Sequence, residues 1–399
     1  MAEKLVPNLR FAGFNDEWVS QKFKDNLDIK SGKGFKASEY SKIGIPLLKI
    51  DNVSYGKVSW ETKDYLPQDY LDKYPDLVLK ANDIVLALNR PITNNKLKIA
   101  KLTKEDEISI LYQRVGKIFV NEDLINKEFI FQLLNKEIFR FVLKNSVGSD
   151  QPFISTNQLK ELEFNVPQFE EQEKIGKFLF FINAKIELLE KEYHAYKDFK
   201  KYLMQQIFTQ KLRFNDNCQY TTKKVKDFLV ESKIEGTDDI NKRLTVKLNL
   251  KGITIRESKT IEIEGATKQF IRKSGQFIYG KQNLHKGAFG IVPKELDGYL
   301  TSSDIPSFDF KGEIEPKWFY YYFSRKSFYE KLESLSTGTG SKRISPKEFL
   351  NIKIIVPEIE EQHRIVYLLE KFDEKINGIS NQIVQMNMFK KSLLQQMFI

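Results

Sequence analysis

Apolar residues recur in alternating steps of four and three along two stretches of the chain. In the first, the positions are Ile175, Leu179, Ile182, Ile186, Leu189, Tyr193, Tyr196, Lys200, Leu203 and Ile207. In the second they are Ile365, Leu369, Phe372, Ile376, Ile379, Ile383, Met386, Lys390, Leu393 and Met397. Nine of the ten are apolar in each, which is the spacing of a coiled-coil seam. Each stretch predicts a helix of about 40 residues, hence about 60 Å long. A lone helix with such a stripe exposed would not stay soluble, so the simplest packing sets the two helices against each other; the alternative packs each on its own globular neighbour. Lys200 and Lys390 share one seam position, where a polar group fixes register or partner number at a cost in stability.

The two stretches belong to an internal repeat. Residues 154 to 208 return at 344 to 398 with a constant offset of 190 and 18 identities in 55 positions, against roughly three by chance. Ile154-Ser155 returns as Ile344-Ser345, Val166-Pro167 as Val356-Pro357, and Glu170-Glu171-Gln172 as Glu360-Glu361-Gln362. No gap interrupts the match, because one inserted residue would turn the seam by about 100° and unpair it. A weaker echo at offset 202 sets Lys22, Lys24, Asp25 and Leu27 on Lys224, Lys226, Asp227 and Leu229, after Leu9-Arg10-Phe11 and Leu212-Arg213-Phe214. Each half therefore has a lead-in, a globular region and a long helix, a unit of about 200 residues.

Shorter patterns fill the globular regions. Ile45 to Val53, Asp83 to Leu88, Leu97 to Leu102 and Val115 to Val120 are apolar runs of strand length, separated by basic loops. Lys127 to Lys144 reads as an amphipathic helix, and Lys317 to Leu335 as its copy. Polar loops, Gly148 to Phe153 and Gly338 to Arg343, precede the strands Leu162 to Val166 and Ile352 to Val356. Between its lead-in and its helix the second region has little sequence likeness to the first; Gly275 to Asp304 is its strongest segment. Like scaffolds with unlike loops are the pattern of two modules that read two different things.

Composition narrows the class. At 399 residues and 41% hydrophobic, the chain has length and apolar content for more than one core. The net charge of +10 and pI near 9.1 favour a polyanionic partner. No apolar run approaches the 18 or so residues of a spanning helix, Met1 to Phe11 lacks a signal-peptide core, and Cys218 stands alone. The expectation is a soluble cytoplasmic protein that meets nucleic acid.

Catalytic patterns are thin. His194, His285, His363 and Cys218 lie far apart in sequence and form no metal-ligand motif. Gly338-Thr339-Gly340-Ser341-Lys342 lacks the order and spacing of a phosphate-binding P-loop. Asn165-Val166-Pro167-Gln168-Phe169 lacks the adjacent prolines of the adenine-methyltransferase motif. No catalysis by this chain and no metal is expected.

Two unlike globular regions, each followed by Val-Pro-x-x-Glu-Glu-Gln and a long helix, with the Leu-Arg-Phe lead-in, resemble the specificity subunit of type I restriction-modification enzymes. The resemblance covers the whole chain. It implies an α+β fold: two mixed α/β target recognition domains separated by two long helices that pair as an antiparallel coiled coil, a pseudo-two-fold internal repeat. The segments are then 1–157, the first recognition domain; 158–210, strand and central helix; 211–347, the second recognition domain; and 348–399, strand and C-terminal helix. By the same resemblance each domain reads half of a split site in double-stranded DNA, and the coiled coil sets the gap between the halves. Two methyltransferase subunits dock on that scaffold and restriction subunits join through the complex. No cofactor is bound by this chain; S-adenosylmethionine and ATP with magnesium belong to the partners.

The candidate DNA contacts are the cationic and amide side chains of the loops. In the first domain these are Lys33, Lys36, Asn89, Arg90, Asn94, Lys96, Gln113 and Arg114. In the second they are Lys281, Asn283, His285, Lys286, Ser302, Ser303, Lys342 and Arg343. Cations supply affinity through phosphates, and base edges supply discrimination. The rival reading is a structural adaptor whose helices only join other proteins. Loop sequences carry no code for the bases they read.

Overall fold

A computed structural model of the chain describes residues 5–145, 152–257, 265, 267–336 and 342–399. The loop positions Gly148 to Gln151 and Gly338 to Ser341 lie outside the described residues. Contacts divide the chain into two units, Met1–Leu189 with Gln382–Ile399, and Glu190–Asn381. The division follows chain contacts rather than chain order: each unit takes one globular region together with part of each long helix.

In unit 1 the lead-in strand β1 (Val19–Lys22) is followed by β2 (Leu27–Ser31), β3 (Ile84–Ala87), β4 (Ile99–Lys101) and β5 (Val115–Val120). These last four form one antiparallel sheet in the order β2-β5-β3-β4. A second four-stranded sheet is built from Ile45–Leu48, Asp64–Leu66, Val78–Leu79 and Ser109–Leu111. Helix α1 (Lys127–Asn145) leads on to β6 (Glu163–Val166), which pairs with β1, and then to α2 (Phe169–Phe208).

In unit 2, β7 (Tyr220–Lys224), β8 (Leu229–Ser232), β9 (Phe277–Tyr279), β10 (Phe289–Ile291) and β11 (Ser307–Phe310) repeat this plan. Their sheet order β8-β11-β9-β10 matches that of unit 1 strand for strand. Helix α3 (Pro316–Ser324) precedes β12 (Lys353–Pro357), which pairs with β7, and α4 (Ile359–Met397) follows. The likeness that is faint in the sequence is thus plain in strand order.

Expected elements shift at their ends. The run from Ile45 stops at Leu48, where Asn52 N–H closes a turn on Lys49 O at 3.0 Å. Lys317 to Leu335 is not one helix: α3 ends at Ser324, and a helical turn at Lys326–Tyr329 and a 3-10 stretch at Glu330–Leu335 follow. Arg325 breaks it with extended backbone, its guanidinium packed over Phe208, Tyr322 and Phe328 and donating to Tyr322 O at 2.9 Å.

The repeated motif residues are scaffold. Ile154 and Ile344 are buried, and Ser155 and Ser345 cap the short helices that follow. Val166 pairs with Val19 and Val356 with Thr221, while Pro167 and Pro357 end these ladders. Buried Gln172 accepts Asn126 N–H at 3.0 Å and donates to Pro167 O at 2.9 Å; Gln362 does the same with Glu315 N–H and Pro357 O, both at 2.9 Å. The lead-in docks on the same motif. Arg10 makes two bonds to buried Glu171, at 2.8 and 2.7 Å, and Phe214 N–H donates to Glu361 at 2.8 Å.

The seam is packed within each unit. In unit 1, Ile175, Leu179, Ile182 and Ile186 share a core with Leu393 and Met397, and Leu189 is buried as well. In unit 2, Ile365 and Leu369 share a core with Ile207, with Leu203 against it, and Ile376 and Ile379 are buried. Glu192 meets Lys375 at 3.1 Å, Tyr196 packs on Phe372, and Lys200 reaches Asp373 at 2.5 Å. Residue numbers rise along α2 as they fall along α4, so the helices run antiparallel. Half-buried Tyr193, Tyr196 and Lys200 make the seam less apolar in unit 2.

Candidate nucleic-acid interface

In unit 1 the loops after β3 and before β5 are tied together through their backbones. Leu88 N–H donates to Arg114 O at 2.8 Å, and Ile154 N–H donates to Leu88 O at 2.8 Å. Arg90 N–H adds a bond to Pro152 O at 2.9 Å. Gln113 N–H donates to Lys33 O at 3.0 Å, which brings the loop Gly32-Lys33-Gly34 to the same place. Asn89, Arg90, Gln113, Arg114 and Lys33 therefore form one cluster. Asn89 Oδ1 is enclosed there without a donor among the described residues.

Unit 2 repeats the linkage with different side chains. Ile344 N–H donates to Lys281 O and Lys281 N–H to Asp304 O, both at 2.9 Å. Lys281 thus stands where Leu88 stands, and Asp304 where Arg114 stands. Arg343 pairs with Asp304 at 3.0 Å, Ser302 Oγ accepts Asp304 N–H at 3.4 Å, and Ser303 is exposed in the same turn. Asn283 precedes and Lys286 closes the 3-10 turn Leu284–Lys286, which ends at Gly287 in left-handed backbone; His285 Nδ1 is enclosed without a partner among the described residues. Lys342 pairs with Glu333 at 3.3 Å.

The other candidates lie apart from the unit 1 cluster. Asn94, in left-handed backbone at the tip of a hairpin formed by Ile92–Thr93 and Lys96–Leu97, donates to Tyr55 Oη at 3.3 Å, and Lys96 lies over the Tyr55 ring. Lys36 is tied locally, its N–H donating to the Glu39 carboxylate at 2.7 Å and its carbonyl accepting Glu39 N–H at 2.9 Å. Around Lys33, sequence reasoning missed an aromatic floor. Lys33 sits 4.4 Å over Tyr74, Lys49 lies over Tyr40 and Tyr112, and Phe35 packs on Tyr70, Tyr74 and Tyr112. Those tyrosines belong to no single periodic stretch, so no local pattern in the sequence announces the floor. Cations over rings beside open amides suit polyanion contact and base stacking.

Among the described residues no group of three or more His, Cys, Asp or Glu is placed to hold a metal ion. No described helix is long and apolar enough to cross a membrane.

The profile of the type I restriction modification DNA specificity domain matches residues 15–195 and again 196–385. The chain belongs to this family. Among specificity-subunit relatives, the MjaVIII subunit of Methanocaldococcus jannaschii is 46% identical over 199 residues, 50% of this chain and 47% of that one. The EcoAI subunit of Escherichia coli is 30% identical over 145 residues, 36% of this chain and 25% of its own. The chain thus matches about half or less of the length of these two relatives. The EcoBI subunit of Escherichia coli is 22% identical over 96% of this chain and 86% of its own length. A crystal structure of the S subunit from M. genitalium superposes with a TM-score of 0.63 at 14% identity, over 99% of both chains, which shows the shared fold.

Proposed function

We propose that this chain is the specificity subunit of a type I restriction-modification complex. Each globular region reads one half of a split DNA site, and the paired helices act as spacer and docking scaffold. The observation that carries the reading is the pair of equivalent backbone linkages, Leu88–Arg114 and Lys281–Asp304, which hold unlike side chains on one repeated scaffold. A repeated frame with substituted contacts is what reading two different sequences requires. The chain supplies address rather than chemistry. Methyltransferase subunits bring S-adenosylmethionine, restriction subunits use ATP with magnesium, and the assembly works in the cytoplasm beside its DNA. Docking is supported by large apolar side chains left exposed along the long helices: Phe180, Phe181, Met388 and Phe389 in unit 1, and Phe199, Tyr202 and Tyr367 in unit 2.

The test is a gel-shift titration of the chain with its methyltransferase subunits on duplex DNA. Affinity is expected to fall steeply as salt rises, because each neutralised phosphate releases counterions. Assembly with those subunits, but no salt-dependent DNA binding, would favour an adaptor instead.

A further inference from the structure

Unit 1 contains four arginines, and they fall into two kinds. Arg10 is held by Glu171 and Arg140 by Glu137. Arg90 and Arg114 are exposed, and neither has an ion pair or side-chain hydrogen bond among the described residues.

Both also occupy backbone that a side chain resists. Arg114 has φ of 68°, in a turn closed by Val115 N–H on Tyr112 O at 3.3 Å. That third position with positive φ is one where glycine or asparagine is the usual residue. Arg90 has φ of 45° and precedes Pro91, a neighbour that further narrows its backbone. The bonds of Leu88, Arg90 and Ile154 already described hold both turns in place. A left-handed turn would be met without strain by glycine, so the frame holds a large cation where local preference asks for none. Strain of this kind persists where the surroundings impose it and clusters at functional sites.

We propose, resting on the function given above, that Arg90 and Arg114 are base-reading residues of unit 1, each placed to take the N7 and O6 edge of a guanine in the major groove. The chemistry follows from donor count. A guanidinium has only donors, in a planar fork, and guanine is the base whose major-groove edge offers two adjacent acceptors. Phosphate contact needs no such fixed backbone, since lysines of the same unit such as Lys33 and Lys96 serve it equally well as point charges. In unit 2 the position equivalent to Arg114 is Asp304, tied to Arg343, so the same frame there presents an acceptor with a cation.

The experiment compares Arg114→Gly, Arg114→Asn, Arg114→Lys and Arg90→Gly in the full complex. Its readouts are the sequences bound in a randomised duplex pool and the thermal midpoint. The proposal expects Arg114→Gly and Arg114→Asn to keep or raise the midpoint. It expects discrimination at one G·C pair of one half-site to drop about ten- to a hundredfold, with the other half unchanged. Arg114→Lys should not restore it, because an ammonium lacks the fork, and Arg90→Gly should relax a G·C pair in the same half. Uniform weakening across all sequences with a shallower salt slope would assign phosphate contact and overturn the proposal. So would unchanged discrimination, or loss that only accompanies a lowered midpoint. If the wild-type complex binds without sequence preference, the functional reading fails first and the proposal with it.

Discussion

At the scale of single residues, the repeated motifs are joints. Gln172 satisfies the backbone where β6, α1 and α2 meet, and Gly176, one turn further along α2, lets α1 approach closely. A Cβ at Gly176 would lie 2.6 Å from Asn126 Oδ1 and 2.9 Å from the backbone nitrogen of Phe129. Alanine is the better helix former by up to about 1 kcal/mol, yet here the clash decides the sign. Gly176→Ala is expected to destabilise unit 1 by about 1–3 kcal/mol, read as a lower urea midpoint. An unchanged or higher midpoint would mean that the helices yield freely at this joint. The same position in unit 2 is Val366, which is buried, so the two joints are packed differently.

At the scale of elements, the shared seam lysines have diverged. Lys200 is neutralised by Asp373, which also accepts from Tyr321 Oη at 2.6 Å. The residue that the 190 offset sets opposite Lys390 is Asn183, and Lys390 has no ion pair among the described residues. Burial holds its pKa below the ordinary lysine value. The sign follows from linkage: the unfolded chain holds the Lys390 proton more tightly, so this lysine costs stability at neutral pH. The cost fades as pH rises from the lowered pKa toward 10.5. Lys390→Met should therefore stabilise unit 1 at pH 7, with a smaller gain at pH 10, both read in thermal melts. Lys200→Met should give unit 2 no such gain, because it removes a cation that is already paired with Asp373. Equal effects of the two substitutions would contradict this division.

Elements with a sustained period are legible in the amino-acid sequence. The ten seam positions of each helix give both long helices and their offset, because 40 residues of regular spacing outweigh local exceptions. The break at Arg325 is not legible there, because it arises from stacking on Phe208 and Phe328, contacts between residues distant in sequence or across a turn. The matching sheet orders of the two units are hidden for a related reason. Short strands such as Phe277–Tyr279 keep their pairing through backbone bonds that many sequences satisfy. Charge alone marks Arg90 and Arg114 as candidate contacts; their left-handed backbone, which singles them out, is invisible in composition.

At the scale of the whole molecule, one frame appears twice and carries different loops. What the two units share is structural: cap, strand end, buried glutamine and seam. What they do not share lies where Leu88 and Lys281 link their loops. Exchange of one globular region should then change one part of the address and leave the other part alone. Single-molecule sequencing of methylated adenines, in a host carrying this chain with its methyltransferase subunits, measures that directly. With residues 211–343 replaced by the matching region of another family member, the account predicts a split methylated motif in which one half is new and the other is retained. A motif changed in both halves, or in neither while methylation persists, would contradict it.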